Sequence, residues 1–231
     1  MALHADRPRM TRRTKTMAFL SGGLVLGLGI TATLAAWTDS EWVFGGNADG
    51  TGPGLGTSTF EVEQNVSSPY LPADFAQDET NPGQDLTFTA GALALTPGTS
   101  VYAPVALRTV AGSVAGTVVL QDSEPAVGVG LEADDADDAL LGALTLRVAV
   151  STTATTCDAA AFATGALVTS GPLATAAGTG AQTLDASGGN TQFYCFEITL
   201  PAAPTLPTGV TLDDLQGRTV TPAWEFLSTS V

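Results

Sequence analysis

The sequence predicts an all-β fold: an antiparallel jelly roll or β-sandwich in a single domain, with one short helix and an N-terminal signal helix. Three observations predict it. Runs rich in Thr, Val and aromatic residues recur along the chain, many of them alternate apolar with polar side chains, and Gly- or Pro-containing turns punctuate them. A doubly wound fold needs a helix between successive strands, and only one stretch reads as a helix.

The chain opens on a basic run, Arg7, Arg9, Arg12, Arg13 and Lys15, followed by an uncharged Gly- and Leu-rich stretch from Met17 to Trp37. A positive head, an apolar centre and a small-residue end at Leu34-Ala35-Ala36 make residues 1–36 a signal peptide, cut between Ala36 and Trp37. The rival reading is an uncleaved anchor, since about 20 uncharged residues span a bilayer. Gly22, Gly23, Gly27 and Gly29, with Thr31 and Thr33, weaken a permanent span. Arg12-Arg13 raises twin-arginine export, but Lys15 stands where that signal takes an apolar residue, so general secretion is expected. The protein is then secreted, extracellular or at the cell surface, with a signal peptidase as its partner during export.

Residues 37–44 form a short aromatic and acidic strand, and residues 45–57 a Gly-rich linker too poor in apolar side chains to pack. The β domain occupies residues 58–231. Its predicted strands are "STFEVEQNV" (58–66), "LTFTAGALALT" (86–96), "VYAPVALRTV" (101–110), "SVAGTVVLQ" (113–121), "LTLRVAVST" (144–152), "TQFYCFEITL" (191–200) and "RTVTPAWEFLST" (218–229). In the sixth run Tyr194, Phe196 and Ile198 make a more apolar face than Phe193, Cys195 and Glu197. Residues 64–84 and 169–190 read as long loops or hairpin excursions. The single helix is predicted over "EADDADDALLGAL" (132–144), where acids gather ahead of leucines and favour the helix dipole.

Charge narrows the function classes. Beyond residue 36 the chain holds three arginines, Arg108, Arg147 and Arg218, against 22 acids, a net of −19, with neither lysine nor histidine. Such a surface repels phosphate backbones and anionic headgroups, so nucleic acid is not an expected partner. The only histidine, His4, lies in the leader, which removes Ser-His-Asp and Cys-His arrangements and His-x-x-x-His zinc sites; the absence of lysine removes a Ser-Lys dyad. Paired carboxylates remain available for glycoside hydrolysis, but aromatics are sparse and form no apparent sugar platform. The chain reads as a non-enzyme. No cofactor is expected; the candidate ion is calcium, on Asp134, Asp135, Asp137 and Asp138, whose spacing lacks the turn glycine and terminal Glu of an EF-hand. A solvated, capped helix is the plainer reading of those acids.

Cys157 and Cys195 both lie in the exported part, and an even count in an oxidising compartment reads as one disulfide. A metal pair lacks other soft ligands, and a reactive thiol lacks a neighbouring Lys or His. Three short strings resemble motifs without their context. "GVGLEA" (128–133) would set Asp134 and Asp135 against a pyrophosphate, "LPTG" (206–209) is one residue short of a sorting signal, and "DGTG" at Asp49 sits in the linker rather than between strands.

Two stretches carry a family resemblance. "LGLGITATLAAWTDSE" pairs a Gly-rich leader ending in Ala35-Ala36 with an aromatic residue and a short Asx-containing stretch, and "LTPGTSVYAPVALRTVAGSVAGTVVLQ" (95–121) runs turn, strand, Gly-Ser turn, strand. The chain resembles the TasA/camelysin family, secreted Gram-positive proteins with a SipW-type signal peptide. "TCDAAAF" (156–162), "YCFEITLP" (194–201) and "LQGRTVTPAWEF" (215–226) are similar to an actinobacterial branch of it. The turn after Arg108, Thr-Val-Ala-Gly, departs from the Asn-Gly often found there. Camelysin has been described as a metalloprotease, which the missing histidines do not support in this chain. The resemblance implies a jelly-roll subunit of extracellular fibres or biofilm matrix, with itself and other matrix proteins as partners. Donation of the strand Trp37–Phe44 to the next subunit, through Trp37, Trp42, Val43 and Phe44, is the expected assembly mode. The alternative is a monomeric secreted binding or adhesion module, calcium-dependent or not, with the same segment folded back as an edge strand.

Overall fold

The computed structural model describes residues 40–45, 54–130 and 135–231. The predicted signal peptide with its predicted cut after Ala36, Trp37 itself, most of the predicted linker and Asp134 lie outside the described residues. The chain separates into two units, Met1–Gly56 and Thr57–Val231. In the first, residues 40–45 have no regular secondary structure.

The second unit is a β-sandwich. Its strands are β1 (Val62–Asn65), β2 (Thr99–Thr109), β3 (Gly116–Pro125), β4 (Thr145–Ser151), β5 (Ala166–Pro172), β6 (Gln182–Leu184), β7 (Gln192–Leu200) and β8 (Pro222–Ser230). One sheet has the order β1-β2-β7-β4-β5 and the other β6-β3-β8, all ladders antiparallel. The predicted all-β sandwich is therefore what forms, split five and three where an ideal jelly roll divides its eight strands evenly.

Alternation places the core. Along β7, Tyr194, Phe196, Ile198 and Leu200 turn inward and meet β8, with ring centroids 4.9 Å apart for Tyr194–Phe226 and 5.1 Å for Phe196–Trp224. Val118 and Leu120 of β3 and Leu146 and Val148 of β4 fill the same layer and are fully buried. Cys195 and Glu197, on the opposite face of β7, are buried too. The excursion between β4 and β5 supplies the Cys157–Cys195 disulfide and the ring of Phe162, which lies 4.5 Å below the Arg147 guanidinium. On that face Arg147 (β4) pairs with Glu197 (β7) at 2.9 Å, and the Tyr102 hydroxyl (β2) donates to the same carboxylate at 3.0 Å. Closing 38 residues of chain with the disulfide stabilises the fold by about 3.9 kcal/mol on the chain-entropy account.

Pro104 stands inside β2, opposite Cys195. The backbone of Tyr102 bonds to Thr89, on the flank away from β7, so the even-numbered positions of this half of β2 face that flank. β1 pairs only with residues 106–109, and the missing N–H of Pro104 costs no ladder bond.

Several elements differ from the sequence reading. Residues 86–96 form no strand: Gly91 takes the left-handed conformation (φ 99°), a 3-10 turn follows at Ala92–Ala94, Thr89 bonds to Tyr102 of β2, and Thr96 bonds to Thr99 in the turn that opens β2. Leu86 and Phe88 still pack on the core, so their period-two spacing records burial without a ladder. β5 and β6 were not among the predicted strands, although β6 and the end of β5 fall within the excursion read over 169–190. Among the described residues of the predicted helix, 135–138 are not helical and α1 spans Ala139–Ala143, which cannot extend back through Asp138 at φ 54°. A second short helix, α2 (Ala161–Thr164), lies in the disulfide excursion.

Candidate functional site

The two sheets do not close evenly. Val101, Val105 and Leu107 on the inner face of β2 line an open cleft of about 1160 Å³, beside Trp224 and Phe226 of β8. Its far wall is the irregular segment after β1, held by Gln64–Ala76 backbone bonds of 2.8 and 2.9 Å and by Asn81, which donates to the Pro125 carbonyl and accepts from the Val127 N–H. The three floor side chains of β2 are apolar and themselves buried, at 3–4 % exposure.

β8 borders this cleft as a sheet edge. Among the described residues its only partner strand is β3. Ladder parity shows which backbone groups remain. Ala126 donates to the Thr221 carbonyl at 2.9 Å and Val231 to the Ala115 carbonyl at 3.1 Å, so odd-numbered residues of β8 bond toward β3. The β3 bulge between Leu120 and Ser123 preserves that parity, since the two residues it skips oppose Glu225 alone. Trp224, Phe226, Ser228 and Ser230 therefore aim their N–H and C=O groups outward, and the side chains of Trp224 and Phe226 turn into the core. The Phe226 carbonyl takes the Ser228 hydroxyl at 3.3 Å, and a row of this kind without a partner strand is a template for another. The indole N–H of Trp224 is buried without a hydrogen-bond partner, as is the Tyr194 hydroxyl, and an unsatisfied buried donor costs about 1–3 kcal/mol.

Exposed carboxylates stand among the lining residues, beside exposed Thr80, Asn81, Leu93 and Leu227. They include Asp78, Glu79 and Asp85 from the segment after β1, and Asp122, Glu124 and Glu225 from β3 and β8. Each arginine beyond residue 36 is paired: Arg108 to Glu63, itself a lining residue, at 2.6 Å, Arg147 to Glu197, and Arg218 to Asp135 and Asp137. Arg108 also lies 3.8 Å over the Phe75 ring. None of the three lines the cleft.

The calcium candidates have another role. Asp135 is buried, and its two oxygens accept the N–H groups of Leu140 and Leu141 at 2.9 Å each, capping α1 from a distance. Its Oδ1 also takes Arg218 Nη1 at 2.8 Å, and Asp137 shares that guanidinium, which holds the Asp137 carboxyl below its usual range. Asp138 is exposed at the helix entry. Among the described residues no group of three or more His, Cys, Asp or Glu side chains is placed to hold a metal ion.

Of the predicted assembly segment, Trp42, Val43 and Phe44 are described, at 92, 96 and 77 % exposure. Three consecutive large apolar side chains left in water are an interaction signal rather than scatter. The segment could be found from the sequence; the cleft could not, because it depends on which strands stand opposite one another. Among the described residues no helix is long and apolar enough to cross a membrane. No protein-family model matches the chain, and no curated protein matches it.

Proposed function

We propose that this protein is a secreted structural subunit that assembles into extracellular fibres by strand exchange, giving its segment Trp37–Phe44 to the cleft beside β8 of the next copy. The observation that carries the reading is that outward-facing edge, Trp224 to Ser230, running along an apolar cleft in a five-and-three sandwich. An inserted strand supplies the missing ladder, and alternation sends Trp42 and Phe44 to one side with Glu41 and Val43 to the other. Burying the two aromatic side chains contributes about 3–6 kcal/mol before ordering costs. The contact is head-to-tail, so it propagates rather than closing into a dimer. A Gly-rich stretch behind the segment provides slack.

The test is assembly of the purified chain, followed by light scattering and negative-stain microscopy. Removing residues 37–44, or changing Trp42 and Phe44 to Ser, should abolish filaments. Filaments that form unchanged in both variants would move the donor elsewhere. An intact chain that stays monomeric across salt and calcium concentrations would favour a monomeric binding module.

A further inference from the structure

The cleft and its proposed donor carry the same sign of charge. Asp39 and Glu41 accompany Trp42 and Phe44, and the seat they would enter is ringed by the six exposed carboxylates named above, with no cation among the lining residues. The arginines beyond residue 36 are too few and already paired. Resting on the reading of the cleft as a strand acceptor, we infer that its preferred occupant is not the chain's own acidic segment but an extended strand bearing Lys or Arg, supplied by a second, basic protein.

Two features of the site select for that chemistry. The apolar floor and the β8 edge ask for alternation, large apolar residues on one side of the strand, and any strand of that pattern satisfies them equally. Discrimination is left to the groups on the occupant's other side and at its ends. The exposed carboxylates that line the cleft, Asp78, Glu79, Asp85, Asp122, Glu124 and Glu225, attract ammonium or guanidinium groups and repel carboxylates. Like-charge placement of this kind acts against the wrong partner as much as it favours the right one. A basic strand would then take the seat ahead of the chain's own segment, so that such a protein caps or joins a growing filament.

The experiment uses the purified full chain and fluorescently labelled peptides of residues 38–46: one of native sequence and one with Asp39→Lys and Glu41→Lys, which keeps Trp42 and Phe44. For exposed pairs each charge reversal is worth about fivefold, so the lysine peptide should bind on the order of 30-fold more tightly at low salt. The gap should collapse at about 0.5 M NaCl, where the screening length is only a few ångströms. Asp78→Asn, Glu79→Gln and Asp85→Asn together should narrow it from the protein side. Equal or tighter binding of the native peptide at low salt would overturn the charge selection and leave the acceptor reading standing. Binding of neither peptide at any salt would overturn both.

Discussion

The parity of β8 leads to a prediction that side-chain burial alone would get backwards. Leu227 is half exposed and Ser228 partly buried, so by side chain Leu227 is the safer site for proline. By ladder it is the worse one. Leu227 pairs with Val119 at a position whose N–H faces β3, whereas the N–H of Ser228 faces the open edge. Leu227→Pro removes one ladder bond, worth about 1 kcal/mol, and turns the proline ring against β3, while the Val119 carbonyl keeps the Gln121 amide as a donor at 3.1 Å. A loss of at least about 1 kcal/mol lowers Tm by roughly 2–4 °C or more in a domain of this size. Ser228→Pro, placed as edge prolines are, should lose less than that. It should nevertheless block assembly, because it withdraws a donor from the strand that would pair there. Denaturant and thermal unfolding of dilute samples measure the first effect and light scattering the second. Equal losses of stability in the two variants would refute the parity assignment. A Ser228→Pro chain that polymerises like the parent would refute β8 as the acceptor edge.

Three further outcomes are expected. Changing Cys157 and Cys195 together to Ser should cost about 3.9 kcal/mol from loop closure, read as a shifted unfolding midpoint, and thiol titration of the denatured, unreduced parent should give none. Asp135→Ala should cost about 2 kcal/mol by uncapping α1, measurable in the same unfolding assay with EGTA or calcium present. Asp137→Ala should cost less, since that side chain is half exposed. Burial pushes the Tyr70 hydroxyl up to about 12 and the Tyr194 hydroxyl higher still. The unfolded chain ionises near pH 10 while the folded one does not, so stability is full below pH 10 and falls as pH rises toward 12. Phenolate absorbance at 295 nm should therefore appear together with unfolding, and a normal titration at pH 10 with the fold intact would contradict the burial of both rings.

What the sequence disclosed follows from which signals are local. β2, β4 and β7 announce themselves through alternation of Val, Leu and aromatic residues, because their two faces meet different surroundings. Leu86 and Phe88 show the same alternation without a ladder, since burial sets the pattern while hydrogen bonding defines the strand. β6 was invisible for the converse reason: "QTL" is three residues of little apolar weight, paired to β3 by tertiary placement. The acids of residues 134–138 point to a helix start, yet the cap is made by Asp135 from five residues before Leu140. The cleft has no sequence signature at all. It is lined by β2 and β8, which belong to different sheets, a property of two sheets together.

The antiparallel ladder between β2 and β7 matches Thr99 to Leu200 and Leu107 to Gln192, and that between β3 and β8 matches Gly116 to Ser230. Both sheets are thus completed by the final forty residues of the chain. Pairings so distant in sequence carry a large loop-closure cost and form late. A nascent chain ending before Gln192 has β1 beside β2, β3 beside β6 and β4 beside β5, but nothing to join these pieces into one layer. With its acids repelling one another, such a chain stays expanded until its end is released. A topology of this kind leaves the sandwich unformed until β7 and β8 arrive, and the Cys157–Cys195 bond, which reaches into β7, waits for the same strand.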